Sequence, residues 1–133
     1  MTHPSLTLAS HSTSNPTSFA QKGGLAALRG DQTAVSDMRD EFNLRRNYMV
    51  QRLKSIDRVS VVPPQGAFYV LANIGKLGLS SNNFADRLLS KHHVAVVPGI
   101  AFGNDATIRF SYATSLDIIK KGLDRLEEFC RTL

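Results

Sequence analysis

The spacing of the large apolar residues changes period along this chain, and that change limits what it can fold into. Val35, Met38, Phe42, Met49, Leu53 and Ile56 fall at intervals of three, four or seven, which lines them up on one face of a helix from about Thr33 to Ser55. Asp37, Asp40, Arg46 and Lys54 form the opposite, charged face. After Asp57 the helical period stops. Val59, Val61 and Val62 make a β-branched run closed by Pro63-Pro64, the pattern of a short strand. Gln65-Gly66 then turns the chain into Ala67 to Leu71, where Phe68, Tyr69 and Val70 favour a second strand antiparallel to the first.

The two periods alternate again downstream. Asn82 or Asn83 can cap a helix that carries Phe84, Leu88 and Leu89 and ends near His92 or His93, and Val94 to Val97 is a strand stopped by Pro98-Gly99. From Ile108 to Ala113, the residues Ile108, Phe110 and Tyr112 alternate with Arg109, Ser111 and Ala113, so Arg109 points away from the apolar set. Thr114-Ser115-Leu116-Asp117 is compatible with a capping box, and Leu116, Ile119, Leu123, Leu126 and Cys130 then repeat at three and four as a docking face. Helix, two strands, helix, two strands, helix predicts an α+β fold: a two-layer small domain with helices packed on one face of a small, mostly antiparallel sheet.

Upstream of Gly30-Asp31 lies an N-terminal helical segment. Met1 to Ser18 is rich in Ser and Thr and reads as a loop containing His11; Asn15-Pro16 then reads as the start of a helix to about Leu28, weakened by Gly23-Gly24. The expected organisation is residues 1–30 as loop plus helix and residues 31–133 as the main folding unit.

Composition narrows the function classes. The chain has 133 residues, enough for one real core, and its formal charge of +5 comes from scattered Lys and Arg without an aromatic-rich basic stripe, which argues against nucleic acid as a partner. No apolar run reaches the roughly twenty residues needed to span a bilayer. A single cysteine, Cys130, suits a reducing setting, so the expectation is a soluble, cytoplasmic chain with no membrane partner. His3, His11, His92 and His93 form no ligand spacing with acids or thiols, so no metal is expected, and no nucleophile signature or phosphate-binding fingerprint is present.

Arg109 is the candidate binding residue. Between Ile108 and Phe110 an arginine is costly to bury without a planar anion, and its fork of donors matches a carboxylate in bidentate geometry. Two readings stand side by side: a site for an acid substrate, or a strand arginine paired with Asp105 or stacked on Tyr112. Gly99 and Gly103 nearby allow close backbone approach or simply form turns. Pro64 to Phe68 can likewise shape a pocket wall or a hairpin turn.

Three segments, spread over nearly the whole chain, add a family. Ser14-Asn15-Pro16-Thr17-Ser18-Phe19-Ala20-Gln21, then Pro64-Gln65-Gly66-Ala67-Phe68-Tyr69, then Val97-Pro98-Gly99 through Phe102-Gly103 to Ile108-Arg109-Phe110-Ser111-Tyr112-Ala113, in this order and spacing, resemble the C-terminal part of the fold-type I aminotransferases that use pyridoxal phosphate. The resemblance is to the aspartate aminotransferase group and its aromatic and prephenate-using relatives. It implies that Arg109 grips the substrate α-carboxylate, that residues 31–133 are the small domain, and that residues 1–30 are the tail of the large domain. The Ser14-Asn15-Pro16 loop would then approach the active site of the other subunit in a homodimeric parent.

The resemblance implies amino transfer between an amino acid and a 2-oxo acid, with pyridoxal phosphate in the full-length parent. None of Lys22, Lys54, Lys76, Lys91, Lys120 or Lys121 has the sequence context of the family's cofactor lysine. The expectation is therefore that the missing large domain supplies that lysine, that this chain alone binds no cofactor, and that it is inactive by itself and contributes no catalytic residue. In the aspartate-specific branch an arginine four residues before the Ser of Ser-Asn-Pro reads the distal carboxylate; here that position is Ser10. The alternative expectation is a non-catalytic α+β interaction module that binds a protein partner or a carboxylate.

Overall fold

The computed structural model describes residues 4–133, which divide into two units, one ending at Asp37 and one from Met38 to Leu133. In the first, the Ser/Thr-rich start expected as a loop is helical: α1 spans Pro4–Ser12. The hydroxyls of its last turns bond back to the helix's own carbonyls, Ser10 Oγ donating to Thr7 O at 2.8 Å and Ser12 Oγ to Leu8 O at 3.1 Å. His11 therefore sits in the last turn of α1, and His3 lies outside the described residues. Helix α2, Ser18–Arg29, starts two residues later than expected, with Thr17 rather than Asn15 at the cap position and no side-chain cap bond. It buries no residue.

Asp31 starts the next helix by accepting from the hydroxyl of Thr33 at 2.7 Å and from its N–H at 3.0 Å, which holds the Asp31 carboxyl below its usual range. Helix α3 then spans Thr33–Ser55, the bounds read from the sequence. Its apolar face is used unevenly. Met49, Val50 and Leu53 are buried, whereas Val35 and Met38 stay 55% and 56% exposed. The helix's 23 residues extend about 35 Å, roughly twice the length of a five-residue strand. One strand layer cannot cover its whole length.

The second unit holds a four-stranded sheet, β1 Ser60–Val61, β2 Tyr69–Asn73, β3 Val97–Pro98 and β4 Thr107–Ser111, in the order β1-β2-β4-β3. Every neighbouring pair is antiparallel. Strand β2 starts two residues later than the sequence suggests, because Ala67 takes a left-handed conformation (φ 63°) that keeps Gln65 to Phe68 in a turn. Tyr112, just past β4, holds that turn, its hydroxyl donating to Ala67 O at 2.9 Å and its N–H to Phe68 O at 2.8 Å. Strands β3 and β4 are likewise displaced from the expected spans, and β1 is clipped to two residues with Val62 left 83% exposed ahead of Pro63-Pro64.

Helix α4, Ser81–His92, is capped by Ser80 rather than by either asparagine: Ser80 Oγ accepts from the N–H of Asn83 at 3.3 Å. Helix α5, Leu116–Arg131, is capped by Ser115, whose Oγ accepts from the N–H of Ile118 at 3.4 Å. The helices cover one face of the sheet. Val70, Ala72, Ile108 and Phe110 meet Leu53, Phe84, Leu88, Ile119, Leu123, Leu126 and Phe129 in one core, with the rings of Phe84 and Phe129 edge-on at 5.1 Å. Each Val, Leu, Ile or Phe side chain among them contributes about 1.5–3 kcal/mol on full burial. The alternate positions, Tyr69, Leu71, Asn73, Arg109 and Ser111, are left on the face without helices. No helix among the described residues is long and apolar enough to cross a membrane.

Candidate functional site

Arg109 stands in the middle of that uncovered face. The ladder sets Leu71 of β2 on one side of it and Val97 of β3 on the other. Its guanidinium packs over two aromatic rings, Phe102 at 4.7 Å and Tyr69 at 5.1 Å from the ring centroids. Such contacts are worth about 0.5–1 kcal/mol each at exposed sites and more when water is excluded. They position the group without consuming its donors, since a ring face attracts the charge and leaves the N–H edges free. Among the described residues, no carboxylate or carbonyl accepts a hydrogen bond from Arg109.

Both local partners considered for Arg109 are engaged elsewhere. Asp105 Oδ1 accepts from the Ser81 hydroxyl at 2.6 Å and from the Ser81 N–H at 2.9 Å, and these bonds hold its carboxyl below its usual range. Tyr112 is turned into the core, 1% exposed, with its hydroxyl on Ala67. Burial pushes that phenol up, partly opposed by the charge of Arg46.

Phe102 reaches the guanidinium because its turn is fixed at several points. Gly99 to Phe102 form one short 3-10 turn closed by Gly103 at φ 82°, with Asn104 N–H donating to Gly99 O at 3.1 Å. Ser81 Oγ, while donating to Asp105, accepts from the N–H of Ile100 at 3.2 Å, tying the turn to the first residue of α4. Gly99 packs so close to β4 that a Cβ there would overlap Thr107 Oγ1, Thr107 O and Asn104 O.

The loop Gln65 to Phe68 does line a groove, of about 630 Å³, shared with Arg46 and Tyr112. Arg46 Nη1 donates to Pro64 O at 3.3 Å and so braces the loop. Among the described residues no three His, Cys, Asp or Glu side chains converge as a metal site. A pyridoxal phosphate seat needs an amine, an acid for the ring nitrogen and donors for the phosphate. The groups around Arg109 are rings and aliphatic chains, which do not fit that cofactor by themselves. What they present is a fixed cationic fork, suited to a planar carboxylate.

The profile of the family "Aminotransferase class I and II" matches residues 6–126. The chain belongs to that family. As an aminotransferase-family chain it is 43% identical over 129 residues to an aspartate aminotransferase of Bacillus sp. strain YM-2, covering 93% of this chain and 33% of the relative. It is 42% identical to the aspartate aminotransferase of Bacillus subtilis, covering 92% of this chain and 32% of that protein. Among solved structures, an aromatic aminotransferase from Pyrococcus horikoshii superposes with a TM-score of 0.88 at 32% identity, over 95% of this chain and 35% of that one. The chain thus spans about a third of the length of the relatives it matches.

Sequence reasoning leaves the aromatic partners of Arg109 unassigned. Tyr69 carries a signal, since it alternates with Val70 and pairs with Ser111, two residues beyond Arg109 on the same face. Phe102 carries none, because only the folded turn brings it over the guanidinium.

Proposed function

We propose that this chain supplies the substrate-gripping portion of a pyridoxal-phosphate-dependent aminotransferase, with Arg109 binding the α-carboxylate of the amino acid or 2-oxo acid. The observation that carries the reading is an arginine held by two rings on an uncovered sheet face, its N–H edges unmet by any described acid, in a chain of this family. A bidentate grip would fix the carboxylate and so orient the substrate's Cα–H bond for proton transfer by other groups. In this reading residues 31–133 are the small domain and residues 1–30 the tail of the large domain. The cofactor, its lysine and the acid and phosphate partners come from polypeptide outside this sequence, in a cytoplasmic homodimer. The chain alone then has no turnover.

The test uses the full-length parent. Arg109→Lys replaces a fork by a point charge and should lower kcat/KM by about tenfold to a hundredfold, the cost of weakening charge-assisted hydrogen bonds. Unchanged kinetics would remove Arg109 from the site, and measurable transamination by the present chain alone would remove the claim that essential groups lie elsewhere.

A further inference from the structure

A second cleft, which does not include Arg109, opens between the first turns of α5, the end of α4 and the loop leading to β3. It encloses about 370 Å³, within the range of small-molecule sites. Met49, Val94, Phe110, Ile119 and Leu123 line it with apolar surface, and His93, Lys121 and Arg125 add basic groups without any Asp or Glu.

The charge pattern of α5 makes this more than a greasy hollow. Lys121 and Arg125 lie one turn apart, like charges that repel on an isolated helix. Three of the four acids of α5 pair with another residue, Asp117 with Lys120 at 3.7 Å, Asp124 with Arg52 at 2.5 Å, and Glu127 with Arg52 at 3.1 Å and with Arg131, while Glu128 lies 3.9 Å from His92. Neither Lys121 nor Arg125 has an ion pair or hydrogen bond among the described residues. His93 adds a local oddity: it holds the left-handed position after α4, at φ 56°, where glycine is the usual occupant. Beside the two cations the wall is open at Gly122, where a Cβ would meet nothing within 4 Å.

From this geometry we infer a binding site for a small organic anion, a carboxylate carried on an apolar body. Lys121 and Arg125 take the head, and Met49, Val94, Phe110 and Leu123 take the tail. The site is independent of Arg109 and of the activity proposed above.

Octanoate titrated into the chain, followed by amide chemical shifts, tests it. Saturable binding with shifts centred on Val94 and Gly122 is expected, weakened about tenfold or more by Lys121→Glu with Arg125→Glu, as loss of charged hydrogen bonds requires. The milder pair Lys121→Gln and Arg125→Gln serves if charge reversal unfolds the chain, with the same loss expected. Gly122→Leu should block the cleft, uncharged octanamide should bind more weakly than octanoate, and Arg109→Ala should leave octanoate binding intact. Absence of saturable binding, affinity unchanged by the glutamine pair, or a loss that tracks Arg109→Ala would each overturn the inference.

Discussion

Three glycine-to-alanine substitutions add the same methyl group to this chain, and the structure assigns each a different outcome. At Gly99 the new Cβ runs into Asn104 O just past its own turn and into Thr107 Oγ1 and Thr107 O at the start of β4. Relief requires moving that turn away from β4 and α4. The bonds at risk are Asn104 N–H to Gly99 O, Ile100 N–H to Ser81 Oγ, and Thr107 Oγ–H to Asn104 O, at 3.1, 3.2 and 2.9 Å. At about 1 kcal/mol each, their loss totals about 3 kcal/mol. At Gly103 the space is open but φ is +82°. A left-handed alanine costs about 1–2 kcal/mol, partly offset by about 0.4–1 kcal/mol from a less flexible unfolded chain, which leaves a net loss near 1 kcal/mol. At Gly122, inside α5 with nothing within 4 Å, alanine should stabilise by about 1 kcal/mol through helix propensity. Urea unfolding followed by circular dichroism reads all three. With a slope of about 1–3 kcal/mol per molar urea, Gly99→Ala shifts the midpoint down by roughly 1–3 M or leaves the chain unfolded in buffer. If Gly99→Ala tolerates urea as well as Gly103→Ala, or if Gly122→Ala is the least stable, the packing described around β4 is wrong.

Further outcomes follow from single contacts. Tyr112→Phe removes only the hydroxyl bond to Ala67 O and should cost about 1 kcal/mol in urea unfolding; an unmoved midpoint would mean that this bond does not hold the Gln65 to Phe68 turn. The Asp105 carboxyl is held below its ordinary value of 3.8 by the Ser81 hydroxyl and N–H. The stability it contributes is therefore complete above that value and is lost as pH falls through the lower folded-state value. Asp105→Asn should flatten the acid limb of stability against pH, and an unaltered limb would refute the assignment. Burial pushes the Cys130 thiol up to about 11, against the opposing charge of Arg58. Iodoacetamide at pH 8 should label Cys130 in urea and leave it intact in the native chain, so rapid native labelling would contradict its buried placement.

The parts of the fold legible in the sequence rest on local period. Helix α3 keeps the bounds its apolar spacing implies, and Arg109 lies opposite Ile108 and Phe110 because side chains alternate along a strand. The parts that are not legible depend on distant atoms. Ala67 adopts a conformation that its own side chain disfavours, and the hydroxyl that holds it comes from Tyr112, 45 residues on. Whether Asp105 would face Arg109 or turn away was decided by Ser81, 24 residues back, on another element. The N-terminal serines and threonines are ambiguous for a different reason. A hydroxyl can bond a helix's own carbonyls as readily as it stabilises a loop, and α1 uses the first option.

The outermost strands, β1 and β3, have two residues each, and β3 ends on a proline that has no N–H to offer. The sheet margins are therefore blunt templates for a foreign strand, even though Val62, Leu71 and Phe102 leave apolar surface in water. When such chains crowd together, ribbon growth at these borders is disfavoured, and concentrated protein should fail to seed fibrils.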